Sequence, residues 1–221
     1  MSELTNIISE TSNRLLESYT TREQKRASEA GEWPAELWQA LEQNGLTQPL
    51  VPESQGGVGA AWSDAFVIAF AAGRWQAPVP LVETIIASWL LSQSAIEIPS
   101  GPLTLIDDGH SLHINGDTIS GTAAAVPWGQ RASHAVSIIN INGQPHVVLI
   151  PTSKVEYTPD FSMAREPRDH LSESNAAFIS APIPNTADIS FVRFAGGAIR
   201  SAQIAGPIQA AIKKTVTYAH E

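Results

Sequence analysis

Apolar residues recur at helical spacing from the start of the chain. Leu4, Ile7, Ile8, Thr11 and Leu15 predict an amphipathic helix over residues 4 to 19, with Glu3, Glu10 and Arg14 turned outward. A polar, charge-rich joint follows. Pro34 suits a first helical turn, Leu37, Trp38 and Leu41 supply one face, and Gly45 suits a left-handed stop, which predicts a second helix over 34 to 43. Ser63 or Asp64 can cap a third helix, whose body from Ala65 to Ala72 is apolar on nearly every side and so belongs inside a bundle. Pro78 and Pro80 force a turn. Leu81, Val82, Ile85, Ile86, Trp89 and Leu90 then form the stripe of another packed helix. Residues 1–97 read as a helical bundle.

After Pro99-Ser-Gly-Pro102 the period changes to short β-rich runs at Leu103 to Ile106, Leu112 to Ile114 and Thr118 to Ser120. Asn115-Gly116 and Asn142-Gly143 sit between such runs, as tight hairpins with positive φ require. Ala135 to Ile141 and His146 to Ile150 are the clearest strand pair. Further strands are expected at Val155 to Tyr157, Asn175 to Ile179 and Ile189 to Phe194. Residues 98–194 therefore read as a mainly antiparallel β-barrel or sandwich. Helical spacing returns with Ala198, Ala202, Ala205, Ile208, Ile212, Val216 and Ala219, with a bend expected at Pro207 and no stop signal at Glu221. Residues 195–221 are thus expected to open a second, incomplete helical bundle, and the fold class is α+β.

Charge and composition narrow the function classes. With 22 acidic against 13 basic residues the net charge is −9, which opposes nucleic acid and anionic membranes as partners. The absence of cysteine removes thiolate metal sites and cysteine nucleophiles. No basic leader with an apolar centre is present at the start, and no apolar run approaches ~18 residues, so the expectation is a cytoplasmic protein without membrane contact.

Few residues suggest chemistry on their own. Gly57-Val-Gly59 could begin a dinucleotide fingerprint, but Trp62 takes the place of the third glycine and no strand precedes it, so a glycine-rich turn is the better reading. His110 and His113 would point to opposite faces of a strand, which disfavours a metal site. Hydrolase elbows, zinc-helix motifs and phosphate-binding Gly-Lys-Ser/Thr loops are absent. Glu83 is a candidate base near the start of an apolar helix, although a first-turn carboxylate favoured by the helix dipole explains it better.

The order Trp33-Pro-x-x-Leu-Trp-x-x-Leu-x-x-x-Gly-Leu, then Pro52-Glu-x-x-Gly-Gly-x-Gly59, an apolar helix and Pro78-Val-Pro-Leu-Val-Glu-Thr84 closely resembles the amino-terminal domain of flavin-dependent acyl-CoA dehydrogenases. Gly121 with Val126-Pro-Trp-Gly-Gln-Arg-Ala132 resembles the family's middle domain. Gly197-Ala-Ile-Arg-Ser-Ala-Gln-Ile-Ala-Gly206 with Tyr218-Ala-His-Glu221 resembles the first helix of its carboxy-terminal bundle. The resemblance implies an oxidoreductase of lipid and fatty acid degradation. Bound FAD would oxidise an acyl-CoA to the 2,3-enoyl thioester, a glutamate would remove the α proton, and electrons would pass to an electron-transfer acceptor. It also implies a homo- or hetero-oligomer.

Three departures qualify the transfer. The usual Thr-Glu-Pro and Gly-Ser-Asp elements have no clear counterpart in Leu103-Thr-Leu-Ile-Asp-Asp-Gly109. The family's Trp-Ile-Thr at the flavin edge aligns with Ala125-Val126-Pro127, and Pro127 offers neither hydroxyl nor amide donor. The region that holds the family's catalytic glutamate lies beyond Glu221, so no catalytic residue is assigned. Val126, Pro127 and Trp128 are the expected cofactor contacts, by backbone and ring packing. The degenerate middle domain resembles variant dehydrogenases acting on bulky acyl-CoAs such as steroid side chains, where unlike subunits pair. Two readings stand: an FAD-dependent acyl-CoA dehydrogenase, or a non-catalytic partner subunit of a heteromeric one.

Overall fold

The computed structural model describes residues 2–107, 109–172, 175–184 and 187–220, with the side chain of His110 outside the described set. Its helices are α1 (Glu3–Tyr19), α2 (Arg22–Glu29), α3 (Ala35–Gln43), α4 (Trp62–Trp75), α5 (Leu81–Gln93) and α6 (Phe191–His220). Its strands are β1 (Leu103–Leu105), β2 (Leu112–Asn115), β3 (Thr118–Gly121), β4 (Ala123–Pro127), β5 (His134–Ile141), β6 (Gln144–Pro151), β7 (Tyr157–Thr158), β8 (Arg168–Leu171), β9 (Ala176–Ala177) and β10 (Ile179–Pro182). The chain divides into two compact units, one of residues 1–82 with 197–221 and one of residues 83–196. The α+β expectation holds.

In the first unit α1 and α4 are joined by a buried polar contact. The Thr5 hydroxyl donates to Asp64 Oδ1 at 2.7 Å, and Asp64 Oδ2 accepts from the Ala61 amide at 3.0 Å, so one buried carboxylate closes the first turn of α4 and fixes α1 on it. The Trp75 indole N–H adds a second link, to Asn13 Oδ1 at 3.1 Å. The packing uses Leu16, Leu37, Leu41 and Ile68, all buried. Between α3 and α4 the glycine-rich stretch is a turn, as expected: the Gly59 amide donates to the Val51 carbonyl at 2.8 Å, and a side chain at Gly57 would strike that carbonyl. The charge-rich joint is in fact α2. It has no buried residue, and it forms because Thr21 and Gln24 make a reciprocal capping box.

Two glycines let α4 and α6 meet backbone to backbone. A Cβ at Gly73 would lie 1.7 Å from the Gln203 carbonyl oxygen, and one at Gly206 would lie 2.2 Å from the Phe70 carbonyl oxygen. Gln203 stands four residues before Pro207, which has no N–H to return to it. The carbonyl that proline releases is therefore the one Gly73 packs against. The helix assignment runs unbroken through Pro207. The face of α6 turned away from α4 is bare, with Ile204, Ile208, Ile212, Val216 and Tyr218 between 51% and 81% exposed.

The second unit holds three sheets, with strand orders β1-β5-β6-β10, β2-β3-β9 and β4-β8-β7. They do not close into a barrel, and every strand pairing is antiparallel except that of β1 with β5, so the mainly antiparallel β domain is as expected while its barrel form is not. Both Asn-Gly hairpins are present, and β5 and β6 pair in the register Ile141↔Gln144 to His134↔Pro151. Thr84 in the first turn of α5 anchors β1, its hydroxyl both accepting from the Leu103 amide and donating to the Leu103 carbonyl. The core between the sheets is built from Ile106, Leu112, Ile119, Val126, Ile139, Val148, Ile150 and Leu171, among others.

Three strand expectations need correction. Val155 to Tyr157 is strand only at its last residue, because β7 is Tyr157–Thr158 and Val155 ends a short 3₁₀ turn over Thr152–Lys154. Ile189 to Phe194 is not a strand: Asp188 Oδ1 accepts from the Ser190 amide and hydroxyl, and the resulting Asx turn starts α6 at Phe191, whose ring stacks on Trp89 at 4.9 Å. Asn175 to Ile179 splits into β9 and β10, which join different sheets. The end of the chain at Glu221 and the side-chain direction of His110 lie outside the described residues.

The close approach of α4 and α6 gives a test with an informative sign. Helix propensity alone would make Gly206→Ala stabilising by ~1 kcal/mol, whereas the added methyl here meets backbone and is expected to cost ~1–3 kcal/mol. Urea unfolding monitored by far-UV circular dichroism reads the difference directly. Asp64→Ala, which leaves the Ala61 amide without its acceptor and removes the link from the Thr5 hydroxyl to α4, is expected to lower stability by ~1–3 kcal/mol in the same assay.

Candidate functional site

The expected cofactor edge lies on β4. Its pairing with β8 runs Ala123↔Leu171, then Val126↔Asp169 and Pro127↔Arg168, so three steps on β4 oppose two on β8. The extra residue is a β-bulge, and Ala125 takes φ 55° to accommodate it. The bulge turns Ala124 and Ala125 out to solvent and returns Val126 to the core, where it is 2% exposed. Trp128 follows with φ 56° and is 8% exposed.

The polar groups of this segment are committed inside the fold. The Thr104 hydroxyl of β1 donates to the Pro127 carbonyl in a short hydrogen bond. The Trp128 amide donates to the Pro167 carbonyl at 3.3 Å, and the Trp128 carbonyl accepts from the amides of Arg131 and Ala132 at 2.9 Å each. A flavin edge needs donors aimed at its ring nitrogens and oxygens. Pro127 has no donor to give and its carbonyl is occupied; the Trp128 backbone is satisfied on both sides, and Val126 packs into the β core. The Pro127 carbonyl and the Trp128 amide and carbonyl are thus engaged inside the β unit. What the segment presents is a small apolar surface at the alanine bulge.

Asp169 and Tyr157 complete the neighbourhood. Asp169 is 3% exposed, and its Oδ2 accepts from the Gln130 amide at 2.9 Å, which pins the turn after Trp128. Burial pushes the Asp169 carboxyl above the ordinary carboxylate range, against the hydrogen bonds from the backbone and the charge of Arg131. Tyr157 packs against Gly129, where a Cβ would lie 2.6 Å from the ring. Its hydroxyl is buried without a hydrogen-bond partner, and burial, then the charge of Asp169, raises its pKa well above the usual phenol range. Nothing in the sequence singled these two out. They come to β4 only through strand pairing.

The remaining candidates stay apart from chemistry. Glu83 sits buried in the first turn of α5, as a dipole-favoured carboxylate does. His113 is an exposed residue of β2, and among the described residues no group of histidines and carboxylates could hold a metal ion. Among the described residues no helix is long and apolar enough to cross a membrane.

Comparison with known families gives residues 2–97 as a match to the model of the acyl-CoA dehydrogenase N-terminal domain. Beyond that segment the likeness is one of fold. The chain superposes on a chain of the ChsE4-ChsE5 complex from Mycobacterium tuberculosis with a TM-score of 0.84 at 20% identity, covering 99% of this chain and 67% of that one. A variant of the Tcur3481-Tcur3483 steroid ACAD gives 0.78 at 21% identity, with 98% and 66% covered. The electron transferring flavoprotein of Acidaminococcus fermentans gives 0.70 at 12%, with 99% and 68% covered. No curated protein matches the chain by sequence. The whole chain thus shares the fold of these structures, and it spans about two thirds of their length.

Buried Asp169 makes the stability of the folded chain depend on pH. Its folded pKa lies above its unfolded one, so the folded chain holds this proton more tightly. The contribution is fully present below the unfolded pKa of about 3.9 and is lost as pH rises through the raised folded value. Across that window wild-type stability should fall relative to Asp169→Asn by at most about 1.4 kcal/mol per pH unit, read from urea unfolding at a series of pH values.

Proposed function

We propose that this chain is a subunit of an FAD-dependent acyl-CoA dehydrogenase, an oxidoreductase that converts an acyl-CoA thioester to its 2,3-enoyl form and passes electrons to a separate acceptor. The observation behind the reading is the N-terminal domain over residues 2–97, continued by β and helical segments of the same fold. Oxidation next to a thioester carbonyl needs a base, a hydride acceptor and stabilisation of the enolate oxygen. Bound FAD would supply the hydride acceptor. From this chain we assign no base; its part is to form the framework and the apolar surface at Ala124 and Ala125. A bulky, steroid-like acyl group is the favoured substrate class, supported by the likeness to a steroid ACAD.

A second reading is favoured by a specific observation. The Pro127 carbonyl is held by Thr104 and the Trp128 backbone is satisfied internally, as suits a non-catalytic partner whose companion chain contributes the flavin contacts and the base. Heteromeric assembly has support in the likeness to a chain of a two-component complex. The exposed apolar face of α6 supports association in either case.

The two readings separate in one experiment: incubate the purified chain with FAD, remove free cofactor by gel filtration and record the visible spectrum. A retained flavin band supports the first reading, while a colourless chain that acquires a band only in company with another subunit supports the second. Pro127→Thr restores an amide and a hydroxyl at the presumed edge. It is expected to strengthen FAD retention by up to about tenfold, the worth of one hydrogen bond of ~0.5–1.5 kcal/mol, measured by flavin fluorescence titration.

A further inference from the structure

The exposed face of α6 has a period of its own. Ser201, Ile204, Ile208, Ala211, Thr215 and Tyr218 follow one another at alternating steps of three and four, and every one of them is exposed. Such steps form a seven-residue repeat, so the six positions make one continuous seam, the a and d pattern by which helices pair side by side. Ile212 and Val216, also exposed, widen it. The buried residues of the same stretch, Ile199, Gln203 and Gly206, lie on the other side of the helix.

Charge sets this helix apart from the rest of the chain. α6 carries Arg193, Arg200, Lys213 and Lys214 and none of the 22 acidic residues. The other nine of the 13 basic residues stand against all 22 acids, so the chain outside α6 carries −13. Arg200 and Lys214 are two repeats apart and therefore keep to one edge of the seam.

We infer that this seam receives an acidic amphipathic helix of a companion chain, one with aliphatic residues at seven-residue spacing and Asp or Glu along its edges. The inference rests on the heteromeric reading above and names what the companion brings to it. Burial of the aliphatic row drives such pairing, and opposite charges at its edges select the partner and its register. A second copy is a poor occupant. Two α6 helices laid together would oppose cation to cation with no carboxylate between them, and outside α6 the described helices expose only Leu4 and Ile7 among large apolar side chains. An anionic membrane is no better. The small or hydroxyl side chains of Ser201, Ala211 and Thr215 bury little in acyl chains, and the −13 of the remaining chain is repelled from such a surface.

Fluorescence anisotropy of two labelled peptides with the full chain tests the inference. Both peptides carry leucine and alanine at a and d over about four heptads, one with glutamate at e and g and the other with lysine. The glutamate peptide is expected to bind at least about tenfold more tightly at low salt, with the gap closing as salt rises. Ile208→Asp changes an exposed position, so it should leave the Tm unchanged while weakening that peptide by about tenfold or more. Lys214→Glu should narrow the preference between the two peptides. The inference is overturned if both peptides bind alike, if Ile208→Asp changes nothing, if the chain alone sediments as a dimer that Ile208→Asp splits, or if phosphatidylserine vesicles bind in preference to the glutamate peptide. No flavin or acyl-CoA enters the assay. Failure of the peptide, beside FAD acquired in company with another subunit, would remove this inference and leave the heteromeric reading; peptide binding without that acquisition would keep the docking seam and remove the flavin-bearing partner.

Discussion

The crossing of α4 and α6 is the constraint on which the helical unit depends. Gly73 and Gly206 bring two backbones to a separation that no side chain allows, and Pro207 leaves the Gln203 carbonyl free to be covered there. Because α6 is held so tightly on one side, everything on its opposite side is displayed. The bare row of Ile204, Ile208, Ile212 and Val216 is therefore a consequence of the glycine contact as much as of the residues themselves. The same contact places Gln209 within a hydrogen bond of Arg74.

In the β unit the comparable constraint is the bulge on β4. One extra residue at Ala125 reverses which side chains face inward, so that Val126 enters the core and the alanines face out. Hydrogen bonds from Thr104 and to Pro167 then lock the strand and the residue after it, and Asp169 fixes the following turn through the Gln130 amide. Buried backbone groups are satisfied at the expense of availability. A strand that has settled its own carbonyls and amides in this way has few left for other partners.

Much of this was legible in the chain itself. Helices α1, α3 and α5 followed from a 3.6-residue period in Leu4 to Leu15, Leu37 to Leu41 and Leu81 to Leu90, and the Asn-Gly hairpins from residues that tolerate positive φ. The ordered motifs around Pro52 to Gly59 pointed to the family that residues 2–97 match. The misreadings occurred where local pattern and local chemistry disagreed. α2 lacks any apolar stripe and rests on its capping box, and Phe191 to Phe194 looks like a strand until Asp188 and Ser190 are seen to start a helix.

What the sequence determined alone was what short-range physics controls: periodicity, turns, caps, overall charge and the absence of donors at Pro127, each set by a residue and its near neighbours. Only the tertiary structure decided the parallel pairing of β1 with β5 and the meeting of Asp169 and Tyr157. These join positions between 12 and 31 residues apart, by the numbering of Asp169 against Tyr157 and of His134 against Leu103. No local pattern records such distances; they are fixed when glycine contacts, bulges and strand register bring remote segments together.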